Sequence, residues 1–415
     1  MHSFMIRKMT LFAALLLLCA TAHAEGDSIF HRVEAEVLPS AILHTHIYLK
    51  GDNPEMRTMN HAFSARLKYG FMKSPETQQG RIFKGAYQGV GVALHNFNPQ
   101  LGNPFSAFIY QGATIKSFSR RLALNYEWNF GLTFGWKPYD AQTNPDNRVI
   151  GSRVTAYLDA DFYLKWRLNR YVDFNAGFTL SHFSNGNTKL PNGGLNVAGL
   201  KAGVVCYLGR GNDEERGERR VESVERNDVF MGKKSPTEEG KKRTFLSPLS
   251  SFISSLKVHT DVVLFGSWKR MAFLGVDGVS DVPAIFGVAG ANINPMAIIS
   301  PQFNVGASVD VLYDHSANIT YDEFKNVIEY PTTWQQTAIG LSGRVEFVMP
   351  YFTINFGIGH NVVHAKGHLG GWYEVLALKT KLNRWSFIHI GYSLANFKNP
   401  NHLMLGLGIR LGKNK

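Results

Sequence analysis

The sequence predicts an all-β protein, an antiparallel transmembrane β-barrel with about eight strands in each half of the chain. Apolar and polar residues alternate with a period of two in many segments, as in a strand with one apolar and one polar face. After the N-terminal segment, no stretch offers the roughly 18 consecutive apolar residues that a membrane-spanning helix needs. The 40 glycines, the 13% of aromatic residues and the low 18% of charged residues suit barrel strands with aromatic girdles.

The chain begins with a secretory signal, which we place at residues 1–24. Basic residues precede the apolar run 11–18, and Ala22 and Ala24 give the small-x-small pattern of a cleavage site. The mature chain then keeps one cysteine, Cys206, so no intrachain disulfide is expected. We therefore predict an exported protein of the bacterial outer membrane.

The net charge of +12 bears on the choice of partner. A basic surface is often a sign of nucleic-acid binding, but export makes an anionic membrane surface the better expectation. We expect no nucleic-acid partner, no cofactor and no metal. His44 and His46 share one strand face, yet no third metal ligand is evident beside them. The oligomeric state stays open.

Eight candidate strands precede residue 209. We place them at residues 41–50, 62–73, 86–97, 105–116, 120–136, 150–166, 170–184 and 194–208. With the N-terminus on the periplasmic side, short turns alternate with longer external loops, which is the asymmetry of outer-membrane barrels. The short turns are 117–119 and 167–169, and the external loops are 51–61, 137–149 and 185–193.

The seventh candidate strand shows the alternation most clearly. Its apolar row consists of Val172, Phe174, Ala176, Phe178 and Leu180, and its polar row consists of Asp173, Asn175, Gly177, Thr179 and Ser181. His182 and Ser184 continue the apolar row. In a transmembrane barrel the apolar row faces lipid and the polar row faces the interior, so we expect both side chains to face lipid.

The chain divides into a first barrel half at 25–208, a charged linker at 209–248 and a second barrel half at 249–415. The linker has ten Lys or Arg and nine Asp or Glu. The halves resemble each other where 177–185 aligns with 391–399. They either close as two tandem eight-stranded barrels or join in one enlarged barrel, and we favour the enlarged barrel because it has no redundant closing seam.

The aligned segments differ in the residues that carry chemistry. Asn396 takes the place of His182, and Lys398 takes the place of Ser184. The second half is therefore a degenerate repeat that lacks the His and the Ser.

His182 and Ser184 form a plausible base and nucleophile. Residues two apart on a strand lie about 6.5–7 Å apart at Cα, and a serine hydroxyl becomes a nucleophile when a neighbouring base takes its proton. Asn185 and Gly186 follow directly and offer amide donors for an oxyanion. Asn196 shares the outward parity of the next strand and would lie beside His182. The alternative is a histidine in the headgroup zone, although polar side chains on a lipid-facing row cost free energy.

These residues resemble a known family, the PagL-type lipid A 3-O-deacylases and related outer-membrane acyloxyacyl hydrolases. The resemblance covers about 40–208 and is carried by His182-x-Ser184-Asn185, by Pro191-Asn192-x-Gly194 and by the closing strand 196–208. It implies an eight-stranded barrel whose site is on the outer surface and is reached laterally by lipid A. It also implies a Ser nucleophile, a His base, a Glu that orients the His, and no metal.

The sequence departs from the family at the acid. The position of the Glu is occupied by Asn196, and the carboxylates of Glu127, Asp159 and Asp161 have inward parity. An asparagine can accept the imidazole N–H and determine its tautomer, but it cannot stabilise an imidazolium by charge. We therefore expect a slower or altered esterase.

The resulting hypothesis is an outer-membrane serine esterase that removes an ester-linked acyl chain from lipid A in the lipopolysaccharide of the outer leaflet. Two alternatives stay open: a non-catalytic structural or lipid-binding barrel, and a diffusion channel in which Asp159, Asp161, Lys165 and Arg167 line water. Asp314-His315-Ser316 has triad residue types, but loop composition explains it better. Arg57 and Arg148 are candidate phosphate contacts.

Overall fold

The structure is a computed structural model that describes residues 29–74, 77–83, 85–208, 257–275, 278–350, 352–365, 367–397 and 399–412. Its main strands close into two antiparallel barrels of eight strands each. The predicted fold class is confirmed, and our preference for one enlarged barrel is wrong. In each barrel the first strand pairs with the last, so neither sheet keeps an open edge with unpaired backbone groups. The predicted signal at 1–24 and linker at 209–248 lie outside the described residues, and their boundaries stay predictions.

The first barrel has its eight strands in chain order. They are β1 (Ile29–Leu43), β2 (His61–Lys73), β3 (Tyr87–Asn96), β4 (Phe105–Ser117), β5 (Leu122–Phe134), β6 (Val154–Arg167), β7 (Val172–Ser184) and β8 (Leu195–Leu208). β1 closes the barrel on β8, from His31 opposite Leu208 to Leu43 opposite Asn196. Seven of these strands lie within a few residues of their predicted positions.

The first strand is the exception. We expected it at 41–50, but β1 ends at Leu43 and residues Ile47–Lys50 form a short 3-10 helix. Glu34 and Glu36 of β1 point into the barrel and are buried. Their lysine partners come from β2 and β8, far away in the sequence. Because these charged residues have no partners nearby in the sequence, the strand was not predicted, although it forms part of the barrel wall.

The side chains of β7 confirm the predicted parity. On the outward row, Phe178 is 69% exposed and Leu180 is 51% exposed. On the inward row, Asp173 and Asn175 are fully buried. Because successive side chains on a strand point to opposite faces, the same alternation directs His182 and Ser184 outward.

Ion pairs fill the interior of the first barrel. Lys68 Nζ lies 2.7 Å from Glu36 and 2.6 Å from Glu127. Lys201 Nζ lies 2.6 Å from Glu36 and 2.8 Å from Asp161. These side chains have no exposed surface, and buried charges persist in a protein only when they are paired. The interior is therefore a packed polar core.

The diffusion-channel alternative required one wide barrel with water along its wall. Eight strands leave an interior that side chains alone can fill. Asp159 is 3% exposed and Asp161 is fully buried, and Arg66 lies 2.8 Å from Asp159 and 3.2 Å from Asp161. These carboxylates contact a buried guanidinium, which speaks against a water-filled channel through this barrel.

The two short turns that we predicted both lie at one end of the first barrel. One end has the short turns 118–121 and 168–171, together with the connection 74–86 that includes the short helix Gln78–Ile82. The other end has the connections 44–60, 97–104, 135–153 and 185–194. Outer-membrane barrels have short periplasmic turns and longer external loops, so we take the second end as the external one.

The second barrel repeats this architecture with two additional hairpins. Its wall is formed by β9 (Lys257–Lys269), β12 (Phe286–Ser300), β13 (Phe303–Asp314), β16 (Thr337–Val348), β17 (Phe352–His364), β18 (Trp372–Lys381), β19 (Ser386–Ala395) and β20 (Asn399–Leu411). The hairpins are β10 (Ala272–Gly275) with β11 (Gly278–Asp281), and β14 (Thr320–Asp322) with β15 (Val327–Glu329). β20 pairs with β9 and closes the barrel.

The aligned end of the second barrel has a different local structure from the end of β7. His182 lies inside a strand, whereas Asn396 lies in the turn after β19, with a φ of +54°. The side chain of Asn396 accepts a hydrogen bond from Trp372 N at 3.1 Å, which is the role of a turn residue. Lys398, aligned with Ser184, lies outside the described residues.

None of the helices in the described ranges has the length and apolar character that crossing a membrane requires.

We predict that Lys68→Met destabilises the first barrel. The substitution removes the cation between Glu36 and Glu127, and breaking a buried ion pair from one side costs about 3–5 kcal/mol. Urea unfolding in detergent micelles measures the loss in the free energy of unfolding. Lys116→Met, at an exposed position of β4, is the matched control and should leave stability unchanged. Equal stability of the two variants would contradict a structural role for the network.

Candidate active site

The external end of β7 brings the predicted base and nucleophile to the outer wall of the barrel. His182 lies opposite Asn196 of β8, and Ser184 lies opposite Ala156 of β6. His182, Ser184 and Asn196 are each half-buried. Neighbouring strands therefore bring together the three residues that the sequence suggested.

A short hydrogen bond joins two of these residues. His182 Nδ1 lies 2.6 Å from Asn196 Oδ1. An amide oxygen only accepts hydrogen bonds, so with this orientation of the amide Nδ1 carries the hydrogen and Nε2 keeps a lone pair. That tautomer is the one a general base needs when it takes a proton at Nε2.

Phe183 anchors the end of β7 from inside the barrel. Its side chain is 1% exposed and packs in an aromatic cluster, with ring centroids 5.2 Å from His95, 5.3 Å from Trp136 and 5.3 Å from Tyr157. Because residues alternate across a strand, an inward Phe183 requires both of its neighbours to point outward. The sequence analysis missed this role, although a large aromatic residue on the inward row was the available signal.

His95, in this aromatic cluster, is itself held by hydrogen bonds. Its Nδ1 lies 2.8 Å from Ser64 Oγ, and its Nε2 lies 2.8 Å from Ser106 Oγ. Ser106 Oγ lies 2.7 Å from Thr133 Oγ1. The polar atoms of this buried histidine are thus satisfied, which gives Phe183 a rigid surface to pack on.

The turn after β7 contains the predicted oxyanion residues. Asn185 is 7% exposed, and its Nδ2 donates to Ser152 Oγ at 3.2 Å. Gly186 and Asn187 both have a φ of +64°, a left-handed conformation that glycine and asparagine adopt at low cost. The structure places Asn185 and Gly186 directly after Ser184, and their role as oxyanion donors stays a prediction.

Gly194 covers one edge of the His182 ring. A Cβ at this position would lie 3.2 Å from His182 Cε1, and the φ of +68° is in the left-handed region. A side chain here would therefore crowd the imidazole and strain the backbone.

Two other external loops hold the segment that contains Gly194. Its N–H donates to Val149 O at 3.1 Å, and Gly193 N–H donates to Arg148 O at 3.1 Å. On the other side, Thr45 Oγ1 donates to Gly194 O at 3.3 Å. The position of the His182 ring thus depends on three external loops.

An apolar groove begins just below the His182–Asn196 pair on the outer wall. Its volume is about 690 Å³. Large side chains from three strands wall it, namely Phe162, Phe178, Leu180 and Leu200, and small residues lie between them, namely Ala160, Ala198 and Gly199. Leu180 precedes His182 on the outward row of β7, so the groove runs from below His182 toward the membrane interior.

The carboxylates that might replace the family's acid lie inside the barrel, as their parity predicted. Glu127, Asp159 and Asp161 are buried and contact lysine or arginine side chains. Within the described part of the first barrel, the side chain of His182 bonds to the amide of Asn196, and no carboxylate bonds to it. The expected departure from a Ser-His-Glu arrangement is thus present in the geometry.

The tripeptide Asp314-His315-Ser316, which has the residue types of a catalytic triad, does not form one. Asp314 Oδ1 accepts from Ser316 Oγ at 2.6 Å, and Asp314 Oδ2 accepts from Lys269 Nζ at 2.6 Å. His315 instead stacks on Tyr330, with ring centroids 4.7 Å apart. Since the serine and the aspartate bond to each other directly, the loop-composition explanation accounts for this tripeptide.

Two buried groups contain metal-ligand residue types, one in each barrel. They are Glu36, Glu127 and Asp161, and His259, Asp261 and Glu346. Lysine or arginine nitrogens already lie within 2.6–3.1 Å of the carboxylates in both groups. The carboxylates in these groups thus have internal cations as partners.

His44 and His46 contact the backbone, through Met59 O and Tyr48 N respectively.

Two protein-family models match the chain. The model described as lipid A 3-O-deacylase (PagL) matches residues 63–205, and the model described as acyloxyacyl hydrolase, C-terminal domain (PagL_C) matches residues 258–414. The two segments together cover more than two thirds of the chain. A search of curated proteins finds no relative.

Among solved structures, the chain is similar to several barrels at a low level. Neisserial surface protein A is 12% identical, with 44% of this chain and 97% of that chain covered and a TM-score of 0.27. The KdgM porin is 7% identical, with 93% and 99% covered and a TM-score of 0.17. Omp33 of Acinetobacter baumannii is 8% identical, with 94% and 100% covered and a TM-score of 0.16.

Both halves of the chain thus match models of one family, and each half closes into the kind of barrel that satisfies its own backbone in a bilayer. The chain belongs to the PagL-type family of lipid A 3-O-deacylases and is a protein of the bacterial outer membrane.

Proposed function

We propose that this protein is a serine esterase that removes an ester-linked acyl chain from lipid A, with Ser184 as nucleophile and His182 as base. The observation that carries the proposal is the 2.6 Å hydrogen bond between His182 Nδ1 and Asn196 Oδ1 on the outward face. In the neutral ring this bond places the hydrogen on Nδ1 and leaves the Nε2 lone pair available, on a strand end that also presents Ser184. Polar side chains on a membrane-facing row cost free energy, and a role in acyl transfer at the membrane surface would explain their presence there.

In the proposed reaction, Ser184 Oγ attacks the ester carbonyl while His182 Nε2 takes the hydroxyl proton. The negative charge on the carbonyl oxygen is stabilised by N–H donors of Asn185 and Gly186. His182 returns the proton to the leaving sugar oxygen, and an acyl group stays on Ser184. Water, deprotonated by the same imidazole, then hydrolyses this acyl-enzyme and releases a fatty acid.

Asn196 would orient the base without stabilising its charged form. Its oxygen accepts the Nδ1 hydrogen, so the tautomer is the productive one. A carboxylate would add an electrostatic attraction to the imidazolium that forms during attack, and a neutral amide adds much less. We therefore propose a working but slow esterase.

The apolar groove supports an acyl substrate. It begins next to the reactive pair, opens to the surrounding membrane on the barrel wall, and is lined almost entirely by apolar side chains. A hydrocarbon chain in the groove would place its ester near Ser184. A non-catalytic lipid-binding barrel, the alternative function, would use the groove in the same way. The amide of Asn196 in place of a catalytic carboxylate favours this alternative. An assay of ester hydrolysis therefore has to distinguish the two functions.

Expression of the protein should remove one acyl chain from lipid A, and Ser184→Ala should abolish this change because it deletes the nucleophile. Mass spectrometry of lipid A from cells with and without the protein detects the loss of one acyl mass. Ser181→Ala changes a serine of the same strand that faces the interior, and it should keep the activity. Unchanged lipid A in cells with correctly inserted wild-type protein would refute the esterase and leave the lipid-binding alternative.

Asn196→Glu should raise kcat/KM about tenfold, because a hydrogen bond to a charged acceptor contributes about 1–1.5 kcal/mol more than one to a neutral acceptor. Asn196→Leu, which removes the acceptor, should lower the rate by a similar factor. Release of fatty acid from lipid A in mixed micelles measures both effects. If both substitutions leave the rate unaltered, Asn196 has no part in the reaction.

Ala160→Phe should shift the preference toward shorter acyl chains, because a ring at this position fills the groove beside Leu180. The measurement compares the rates for lipid A species with long and short ester-linked chains. Ala107→Phe, on the exposed row of β4, is the matched control and should have no effect on chain preference. An unshifted preference in Ala160→Phe would show that the acyl chain lies elsewhere.

A further inference from the structure

Two basic residues, Arg148 and His46, lie next to the segment Gly193–Gly194, which covers His182. Arg148 holds this segment through its carbonyl oxygen, which accepts from Gly193 N–H at 3.1 Å. His46 directly follows Thr45, whose hydroxyl donates to Gly194 O at 3.3 Å. The two loops thus bring Arg148 and His46 to one segment, and Gly194 of that segment lies against the His182 ring.

His46 presents a hydrogen-bond donor in this position. Tyr48 N donates to His46 Nδ1 at 3.1 Å, so a neutral ring carries its hydrogen on Nε2. Partial burial and the nearby guanidinium of Arg148 lower the pKa of His46, while Asp52 acts in the opposite direction. The ring is therefore neutral near pH 7 and lies within electrostatic reach of Arg148.

Arg148 is oriented by an aromatic ring. Its guanidinium lies 5.1 Å from the centroid of Tyr139, and the side chain is exposed. Across the residues that the structure describes, no ion pair joins Arg148 to a carboxylate. A guanidinium has five N–H donors and no acceptor, so the charge and most of the donors of Arg148 face the medium outside the barrel.

We propose that Arg148 and His46 form a binding site for a phosphate monoester, and that this site holds the phosphorylated sugar headgroup of the substrate beside the reactive pair. The inference rests on the proposed function and names the headgroup chemistry that the same site takes. A guanidinium and an imidazole N–H within electrostatic reach of each other match a phosphate, which accepts several charge-assisted hydrogen bonds. Their place at Gly193 and Gly194 explains why this phosphate would align the ester with Ser184.

Binding is tested in the Ser184→Ala background, where no turnover takes place. Native mass spectrometry of the detergent-solubilised full chain compares lipid A with the same lipid A after enzymatic removal of its phosphates. Arg148→Gln should weaken binding of phosphorylated lipid A about tenfold, the equivalent of one charged hydrogen bond. His46→Asn keeps an acceptor for Tyr48 N and removes the Nε2 donor, and it should weaken binding less. Neither variant should alter binding of dephosphorylated lipid A.

Arg153→Gln is the matched control, because Arg153 is an exposed arginine of the external connection 135–153 without a backbone hydrogen bond to Gly193 or Gly194. It should bind both lipids as the parent does. An equal loss in Arg153→Gln would indicate general attraction to a basic surface and would overturn the site. An equal loss for phosphorylated and dephosphorylated lipid A would also overturn it.

A kinetic comparison separates this inference from the proposed function. In the otherwise wild-type protein, Arg148→Gln should raise KM for phosphorylated lipid A about tenfold and leave kcat nearly unchanged. Inorganic phosphate should compete with phosphorylated lipid A in the wild type and not in Arg148→Gln; competition of equal strength in both would contradict a local site. If the wild type fails to deacylate lipid A, the proposed function fails, while the binding comparison in Ser184→Ala still decides the phosphate site.

Discussion

The buried ion pairs inside the first barrel are the constraint on which its other features depend. Lys68 and Lys201 each contact carboxylates from more than one strand, and an unpaired charge in this interior would cost several kcal/mol. A one-residue slip of any strand would turn its charged row to the outside. The network therefore sets the register of the wall, and the register sets which side chains of β7 face outward.

The outward placement of His182 and Ser184 is a consequence of this register. Phe183 enters the aromatic cluster below the external rim, and its two neighbours point to the outer wall at the upper end of an apolar groove. Three external loops then determine the surroundings of His182 through Gly194. The candidate site thus combines a rigid strand, which positions His182 and Ser184, with loops that cover the imidazole.

The second barrel has its own internal network and is closed by its own pairing. Lys379 lies 3.1 Å from Asp261 and 2.6 Å from Glu346, and Arg410 lies 2.7 Å from Asp261. This arrangement parallels the first barrel: in both, buried lysine or arginine side chains pair with carboxylates of other strands. The repeat thus preserves the internal ion pairs of the barrel. It does not preserve the strand end that presents His182 in the first barrel, because Asn396, the aligned residue, lies in a turn.

The sequence by itself determined which face of the strand each side chain occupies, because a period of two assigns successive side chains to opposite faces. It placed His182 and Ser184 outward, with Asn196 beside His182. It placed Glu127, Asp159 and Asp161 inward. Tertiary structure decided the rest. The start of β1 depended on lysines distant in the sequence, and closure into two barrels depended on which edges pair. The anchoring of Phe183 and the approach of Gly194 to His182 arise from contacts between loops and strands that no local pattern encodes.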